Sequence, residues 1–400
     1  MKNQILKLNL PMRNIPYGNH YLETSDFSYV KKVLNSNFIT NGPYVHKFED
    51  SLKSFFNTRY VATTSSGTSG LHLAFLSINL KKRDVVIMPA INFIASYNMA
   101  INLSAKVYLA DVDKLTGQMT PADVENCIKR NKLKKIKCIV TMYLGGSPEN
   151  LDNFYKIKKK YNCFLIEDAC HAFGSLASFK KKIIRIGSNL NSDISVFSFH
   201  PVKAITTGEG GCVSTRSKII FNRILKFRNH GIVRSKNHWN YNIAVNGYNY
   251  RLSDINCALG HSQLKQINKF LKKRNEIALF YKKELKNLRP YLTLPSYSEQ
   301  KLNSYHLFLI SINFRKLKVN KDFFLKYMLK NNIVCQFHYK PIYRYKIFNN
   351  KKILLKNFIN AEYYYKNSLS LPIYYKLKLR EQRFIINKIK NFILNNIRKF

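Results

Sequence analysis

Short apolar runs and helix-period stretches alternate through the middle of the chain. Apolar runs occur at Val85–Met88, Val107–Leu109, Ile136–Leu144, Phe164–Ile166, Ile194–Phe199 and Cys212–Ser214. Helical spacing lies between several of them, as in Leu71, Ala74, Phe75 and Ile78 at i, i+3, i+4 and i+7. Runs that are apolar on both faces, separated by amphipathic helices, predict a mostly parallel sheet covered by helices on either side. In such sheets ligands bind beyond the carboxyl ends of the strands, so residues just past each run carry the most interest.

The texture changes after about residue 260. A charged helical stretch from Gln263 to Asn287 is followed by strand-like pieces at Ser304–Asn313 and Ile333–His338, and a basic amphipathic helix ends the chain. The expected architecture is α/β, with a large domain over residues 1–260, including an N-terminal segment, and a smaller C-terminal α+β domain over 261–400.

Composition changes this picture little. The chain has 400 residues, 46% of them hydrophobic, enough for a sizeable core. Lys and Arg total 67 against 22 Asp and Glu, a net charge of +45. Such a balance raises a polyanion-binding role, on nucleic acid or an anionic membrane surface. The lysines are dispersed, however, and Asn, Ile, Tyr and Phe, all with A/T-rich codons, are abundant too. Gene composition accounts for the excess better than selection for a polyanion; tight, salt-sensitive DNA binding by the purified protein would overturn that view. The seven cysteines include no C-x-x-C pair, so neither a disulfide framework nor a zinc ribbon is expected, and a reducing compartment fits. Residues through Arg13 carry no long apolar leader, and no stretch reaches the roughly 18 apolar residues of a membrane span. A cytoplasmic protein without membrane or metal is expected.

Four segments carry candidate chemistry. Thr64-Ser-Ser-Gly-Thr-Ser-Gly70 leads straight into the Leu71 helix. Small residues there let the backbone close around an anion at a helix N-terminus, and equally make a well-capped helix start. Phe164-Leu-Ile-Glu-Asp-Ala-Cys-His171 delivers Asp168 to a strand end, where a carboxylate needs a cation or several N–H donors. A protonated pyridine nitrogen would serve; capping of a following helix is the plainer alternative. Ser195 to Gly211 contains Phe199-His-Pro-Val-Lys203 and then Gly208-Glu-Gly-Gly211. Lysine is common here and normally solvated, but Lys203 sits between an apolar strand and a glycine-rich turn, where burial makes an amine nucleophilic. Gly247-Tyr-Asn-Tyr-Arg-Leu-Ser-Asp254 is too polar for a core piece and too aromatic for a plain linker.

Taken together and in this order, the four segments resemble the sugar-aminotransferase family of pyridoxal-phosphate (PLP) fold-type I enzymes, the DegT/DnrJ/EryC/StrS type, over about residues 15 to 345. The resemblance implies PLP as cofactor, with Lys203 as its Schiff-base lysine and proton shuttle. It implies Asp168 at the pyridinium nitrogen, His171 near the phenolic oxygen, and Phe93 stacked on the ring. Gly67, Thr68 and Ser198 would hold the phosphate, and Asn249 would reach it from a second subunit, so a homodimer is implied. Lys203 argues against the related branch that carries histidine there and dehydrates deoxysugars. Phe197–Gly211, Arg228-Asn-His-Gly-Ile-Val-Arg234, Phe38-Ile-Thr-Asn-Gly-Pro43 and Phe337-His-Tyr-Lys-Pro-Ile-Tyr343 look like the branch making UDP-4-amino-4,6-dideoxy-N-acetyl-β-L-altrosamine in pseudaminic acid synthesis. From these loops Thr40, His230, Arg234, His338 and Tyr339 are substrate candidates, about half of which packing alone could explain. The implied reaction takes an amino group from L-glutamate to a UDP-linked keto-sugar. A sibling enzyme on another UDP- or dTDP-linked sugar, a PLP-binding protein that has lost turnover, and a basic nucleic-acid or membrane-surface binder are the alternatives; intact Lys203, Asp168 and Ser198 speak against the second.

Overall fold

The computed structural model describes residues 14–234, 239–297, 302–348 and 355–397. The stretch through Arg13, read above as carrying no leader, lies outside the described residues, as do the last three residues of the C-terminal helical pattern.

A seven-stranded sheet forms the centre, in the order Tyr60–Thr64, Gly211–Thr215, Ile194–Ser198, Phe164–Asp168, Cys138–Met142, Val85–Pro89, Lys106–Ala110. The strands from Ile194–Ser198 to Lys106–Ala110 run parallel, while Gly211–Thr215 is antiparallel to both of its neighbours. The expected α/β architecture with a mostly parallel sheet is what the chain adopts. Each inner strand is buried on both faces because its residues alternate between two cores. Met88, Val140 and Ile166 enter the core beneath the helices Gly67–Ser77, Ala95–Asn102 and Lys218–Arg228. Ile87, Ile139 and Leu165 enter the opposite one, beneath Pro121–Arg130 and Leu151–Lys160.

Two expected elements differ. The stretch Gln263–Asn287 is not one helix: Asp254–Lys265 and Ile267–Leu285 meet at Gln266. Ile333–His338 is not a strand of a sheet. Ile333 bridges Ile15 and Gln336 bridges Ser370, so the segment switches partner within three residues and never builds a ladder. A three-stranded antiparallel sheet of Leu292–Thr293, Phe308–Ile312 and Ser368–Leu371 packs with the helices Ile267–Leu285, Lys321–Lys330 and Leu379–Ile397 around a separate core that includes Tyr281, Phe324 and Phe392. Among the described residues no helix is long and apolar enough to cross a membrane.

Candidate active site

The parallel strands end on one side of the sheet, and a cavity of about 440 Å³ opens there. Asp168 is the last residue of Phe164–Asp168 and is buried. Its Oδ2 accepts from Ser96 Oγ at 3.1 Å and its Oδ1 from the Cys170 N–H at 3.3 Å. No helix follows this strand; the chain turns through Ala169–Ser175 instead, so Asp168 is not a helix cap. A buried carboxylate with two neutral donors is still short of a cation, and it lines the cavity.

Ser66 closes the helix Gly67–Ser77 by a capping box: its Oγ accepts from Ser69 N–H at 3.0 Å while Ser69 Oγ accepts from Ser66 N–H at 2.9 Å. The capping and anion-cradle readings therefore coexist. Ser69 N–H is satisfied by the cap, whereas Gly67 and Thr68, whose first-turn N–H groups have no partner within the helix, line the cavity together with Ser198. A Cβ at 67 would be tight, meeting Ser198 Cβ at 3.0 Å and Cys170 Sγ at 3.1 Å, so the helix start lies close against these two residues.

Pro201 forces the turn after Ile194–Ser198, and Lys203 N–H closes it by donating to His200 O at 2.9 Å. The Lys203 amine points into the same cavity as Asp168, with His306 Nε2 at 3.5 Å. Burial lowers the Lys203 pKa below that of an ordinary lysine, against the pull of Cys170 and Asp168 and with help from Arg274.

The remaining wall comes from more distant segments. Phe93 is 51% exposed and presents its ring to the cavity, 5.7 Å from the Tyr339 ring. His171 Nδ1 lies 3.4 Å from the Gly145 N–H and His171 Nε2 lies 3.1 Å from Tyr339 Oη. With Nδ1 accepting, the proton sits on Nε2 and is donated to Tyr339, which leaves the tyrosine O–H free for a ligand. Burial holds His171, and likewise His306, neutral, each well below the usual histidine range, with the Lys203 charge adding to it. His338 is pushed down to about 3 by burial and Lys203, and its Nδ1 meets Ser370 Oγ at 2.7 Å.

The structure thus brings together Gly67, Thr68, Phe93, Asp168, His171, Ser198, Lys203, His338 and Tyr339. It does not bring Thr40, His230, Arg234 or Asn249 to this cavity. Arg234 lies in the exposed hairpin Ile232–Arg234/Tyr241–Ile243, and His230 and Asn249 are exposed on the loops flanking it. Thr40 is exposed on the turn before helix Pro43–Phe56. Sequence reasoning passed over Ser96, Tyr17, Cys170 and His306. Cys170 stands inside a segment already singled out, beside Asp168, and Ser96 lies three residues after Phe93. Tyr17 and His306 arrive from remote parts of the chain and leave no local signal.

Pyridoxal phosphate fits this donor set. A carboxylate lacking a cation lies at the sheet end, a small-residue helix N-terminus supplies unpaired N–H groups, and an amine of lowered pKa and an exposed aromatic face stand between them.

Comparison with known proteins agrees with the geometry. The model of the DegT/DnrJ/EryC1/StrS aminotransferase family matches residues 20–390. The UDP-4-amino-4,6-dideoxy-N-acetyl-beta-L-altrosamine transaminase of Campylobacter jejuni (serotype O:23/36) is 35% identical over 386 residues, which is 96% of this chain and 99% of the relative. The GDP-perosamine synthase of Escherichia coli O157:H7 is 37% identical over 278 residues, 69% of this chain and 73% of the relative. Among solved structures, Helicobacter pylori PseC, described as an aminotransferase involved in the biosynthesis of pseudoaminic acid, superimposes with a TM-score of 0.86 at 29% identity. It covers 97% of this chain and 100% of its own.

Proposed function

The chain belongs to the DegT/DnrJ/EryC1/StrS aminotransferase family and is a PLP-dependent sugar aminotransferase; from that premise we propose that it transfers the amino group of L-glutamate to C4 of a UDP-linked 4-keto-6-deoxy-N-acetylhexosamine, giving UDP-4-amino-4,6-dideoxy-N-acetyl-β-L-altrosamine. The observation that carries the catalytic part is the buried Lys203 amine sharing one cavity with Asp168. The substrate part is supported by the near full-length likeness to the Campylobacter transaminase.

Pyridoxal phosphate, when bound, supplies the electron sink that makes a carbon-bound proton removable. Lys203 would be the group that holds it, and the Lys203 amine would take a proton from one carbon and return it to another. Asp168 would hold a protonated ring nitrogen, steadied by Ser96 and the Cys170 N–H. Gly67, Thr68 and Ser198 would hold the phosphate and Phe93 one ring face, with His171 near the phenolic oxygen. His338 and Tyr339, in the cavity wall, would be sugar contacts. Thr40, His230, Arg234 and Asn249 are exposed, and we assign them to the active site of a second subunit in a homodimer. The exposed Phe38, Ile39, Trp239 and Tyr241 beside them are the apolar surface such a contact would bury. The excess positive charge favours a diphosphate-linked substrate without requiring nucleic acid. The seven free thiols fit a cytoplasmic setting.

The test is product analysis with PLP, L-glutamate and a panel of UDP-, dTDP- and GDP-linked 4-keto-6-deoxy sugars, read by mass and NMR. Amination of the UDP-N-acetyl β-L-arabino 4-ketosugar alone is the expected result. Amination of only a GDP-linked sugar would replace it by the second reading, which the perosamine synthase likeness favours. Lys203→Ala is expected to lower turnover by about a hundredfold to ten-thousandfold while keeping the native fold. Borohydride reduction should fix PLP to residue 203 in the parent and not in that variant.

A further inference from the structure

Arg274 is an arginine buried without a carboxylate. It lies on the helix Ile267–Leu285 and is 3% exposed. Its guanidinium donates to three backbone carbonyls, Tyr305 O at 3.1 Å, His306 O at 3.4 Å and Ile373 O at 3.0 Å. No ion pair is formed with it among the described residues. Burial alone brings it down to about 10, so it stays charged at neutral pH. An isolated buried cation is costly, and carbonyl dipoles offset only part of that cost.

Its place in the fold gives the charge a use. Arg274 and Lys203 both line one small recess beside the lysine turn. Two of its three carbonyl partners belong to Tyr305 and His306, and the His306 side chain reaches back to the Lys203 amine, Nε2 to Nζ 3.5 Å. The His306 ring is held on its other side by His171, with centroids 4.2 Å apart.

We propose that Arg274 is a positioning residue for the reacting lysine: it pins the Tyr305–His306 backbone so that His306 Nε2 stays beside Lys203 Nζ, and its uncompensated charge adds to burial in opposing the ammonium form of that amine. The inference rests on the reading of Lys203 as the reacting amine. The groups facing Lys203 from the other elements divide in their effect. Asp168 and Cys170, at the end of strand Phe164–Asp168, favour the ammonium form. His171, His306 and His338 are neutral, and Tyr339 and Tyr17 are uncharged phenols, so none of them supplies the opposing charge. Glu209 lines the cavity on the glycine-rich turn. Burial and the Arg274 cation together oppose the pull of Asp168 and Cys170.

The test is the titration of Lys203 itself. The full chain without cofactor is trace-acylated with acetic anhydride across the pH range of lysine titration, and the peptide carrying residue 203 is quantified by mass spectrometry. Arg274→Gln retains an amide donor for the carbonyls and removes the charge; Arg274→Met removes both; Arg274→Lys keeps the charge. The Lys203 midpoint is expected to rise by about one pH unit in R274Q and R274M, a roughly tenfold loss of free amine at a given lower pH, and to stay near the parent value in R274K. An unchanged midpoint in folded R274Q overturns the proposal, and R274Q decides the matter if R274M does not fold. A residue that is merely structural would lower thermal stability in R274Q without moving the midpoint. Borohydride fixation of PLP to residue 203 is scored separately, so loss of the catalytic assignment is distinguishable from loss of this one.

Discussion

Ser96 donates to Asp168 Oδ2 from a helix that begins only two residues after Phe93. A hydrogen bond to a charged group contributes about 1.5–3 kcal/mol and this one is made without cofactor, so Ser96→Ala is expected to lower fold stability as well as to weaken PLP binding roughly tenfold. Cofactor titration by absorbance measures it, and unchanged affinity would remove Ser96 from the site. The histidines make a prediction of opposite kind. His171, His306 and His338 are all held neutral by burial, His338 down to about 3. Below about pH 6.5 the unfolded chain binds protons that the folded chain refuses, so stability is present above that pH and falls as the pH drops toward the folded-state values. Scanning calorimetry from pH 7 to pH 5 should give a falling Tm, with a shallower slope in His338→Gln. An equal slope in that variant would mean His338 takes up protons in the folded chain as it does in the unfolded one.

At the scale of elements, the proposed phosphate cradle depends on how closely the helix Gly67–Ser77 lies on the sheet. Gly70 allows it: a Cβ there would meet Val196 Cγ1 at 2.8 Å and Val213 Cγ2 at 3.3 Å. Gly70→Ala is expected to cost about 1–3 kcal/mol and to loosen PLP binding as well, because the helix start carries Gly67 and Thr68. Denaturant unfolding and cofactor titration together check this; a stability loss with intact affinity would show that the sheet yields and the helix does not. The strand beside this helix, Tyr60–Thr64, escaped the sequence pattern. It is five residues long and runs directly into serines and glycine, so it reads as loop. Tertiary contacts hold it: Glu49 Oε1 accepts from Thr63 N–H and Oγ1 at 2.8 Å and from Arg228 at 2.6 Å. The adjoining loop is anchored in turn, by Tyr250 N–H to Arg228 O at 3.0 Å and Ser65 N–H to Tyr250 O at 2.9 Å. Asn249 is thereby presented on a rigid loop while its side chain faces outward.

At the scale of the whole molecule, outward-facing Asn249 makes sense if each active site is completed by a neighbour. Mixing inactive Lys203→Ala with inactive Asn249→Ala chains after mild dissociation should then restore about a quarter of parent activity, since half the dimers are mixed and each of those has one intact site. No recovery on mixing, with mixed dimers detected by mass, would place Asn249 in the site of its own chain or outside the reaction.

Lys203, Asp168 and the Thr64–Gly70 turn were legible because each is local. An apolar run ends, a turn or helix begins, and the chemistry stands at the junction, where short-range sterics fix the backbone. The parallel sheet was legible for the same reason, through residues that must bury both faces. The partner-switching path of Ile333–His338 was not, because an apolar run does not specify which strand will pair with it. Nor was His306, brought beside Lys203 from 103 residues away, or Arg274, whose buried charge is set by carbonyls on two other segments. The sequence by itself therefore determined the sheet and the strand-end junctions where the proposed cofactor residues and the proposed reacting amine stand. Only the tertiary structure decided what surrounds that amine, because burial and electrostatic fields are sums over groups that meet only when the chain is folded.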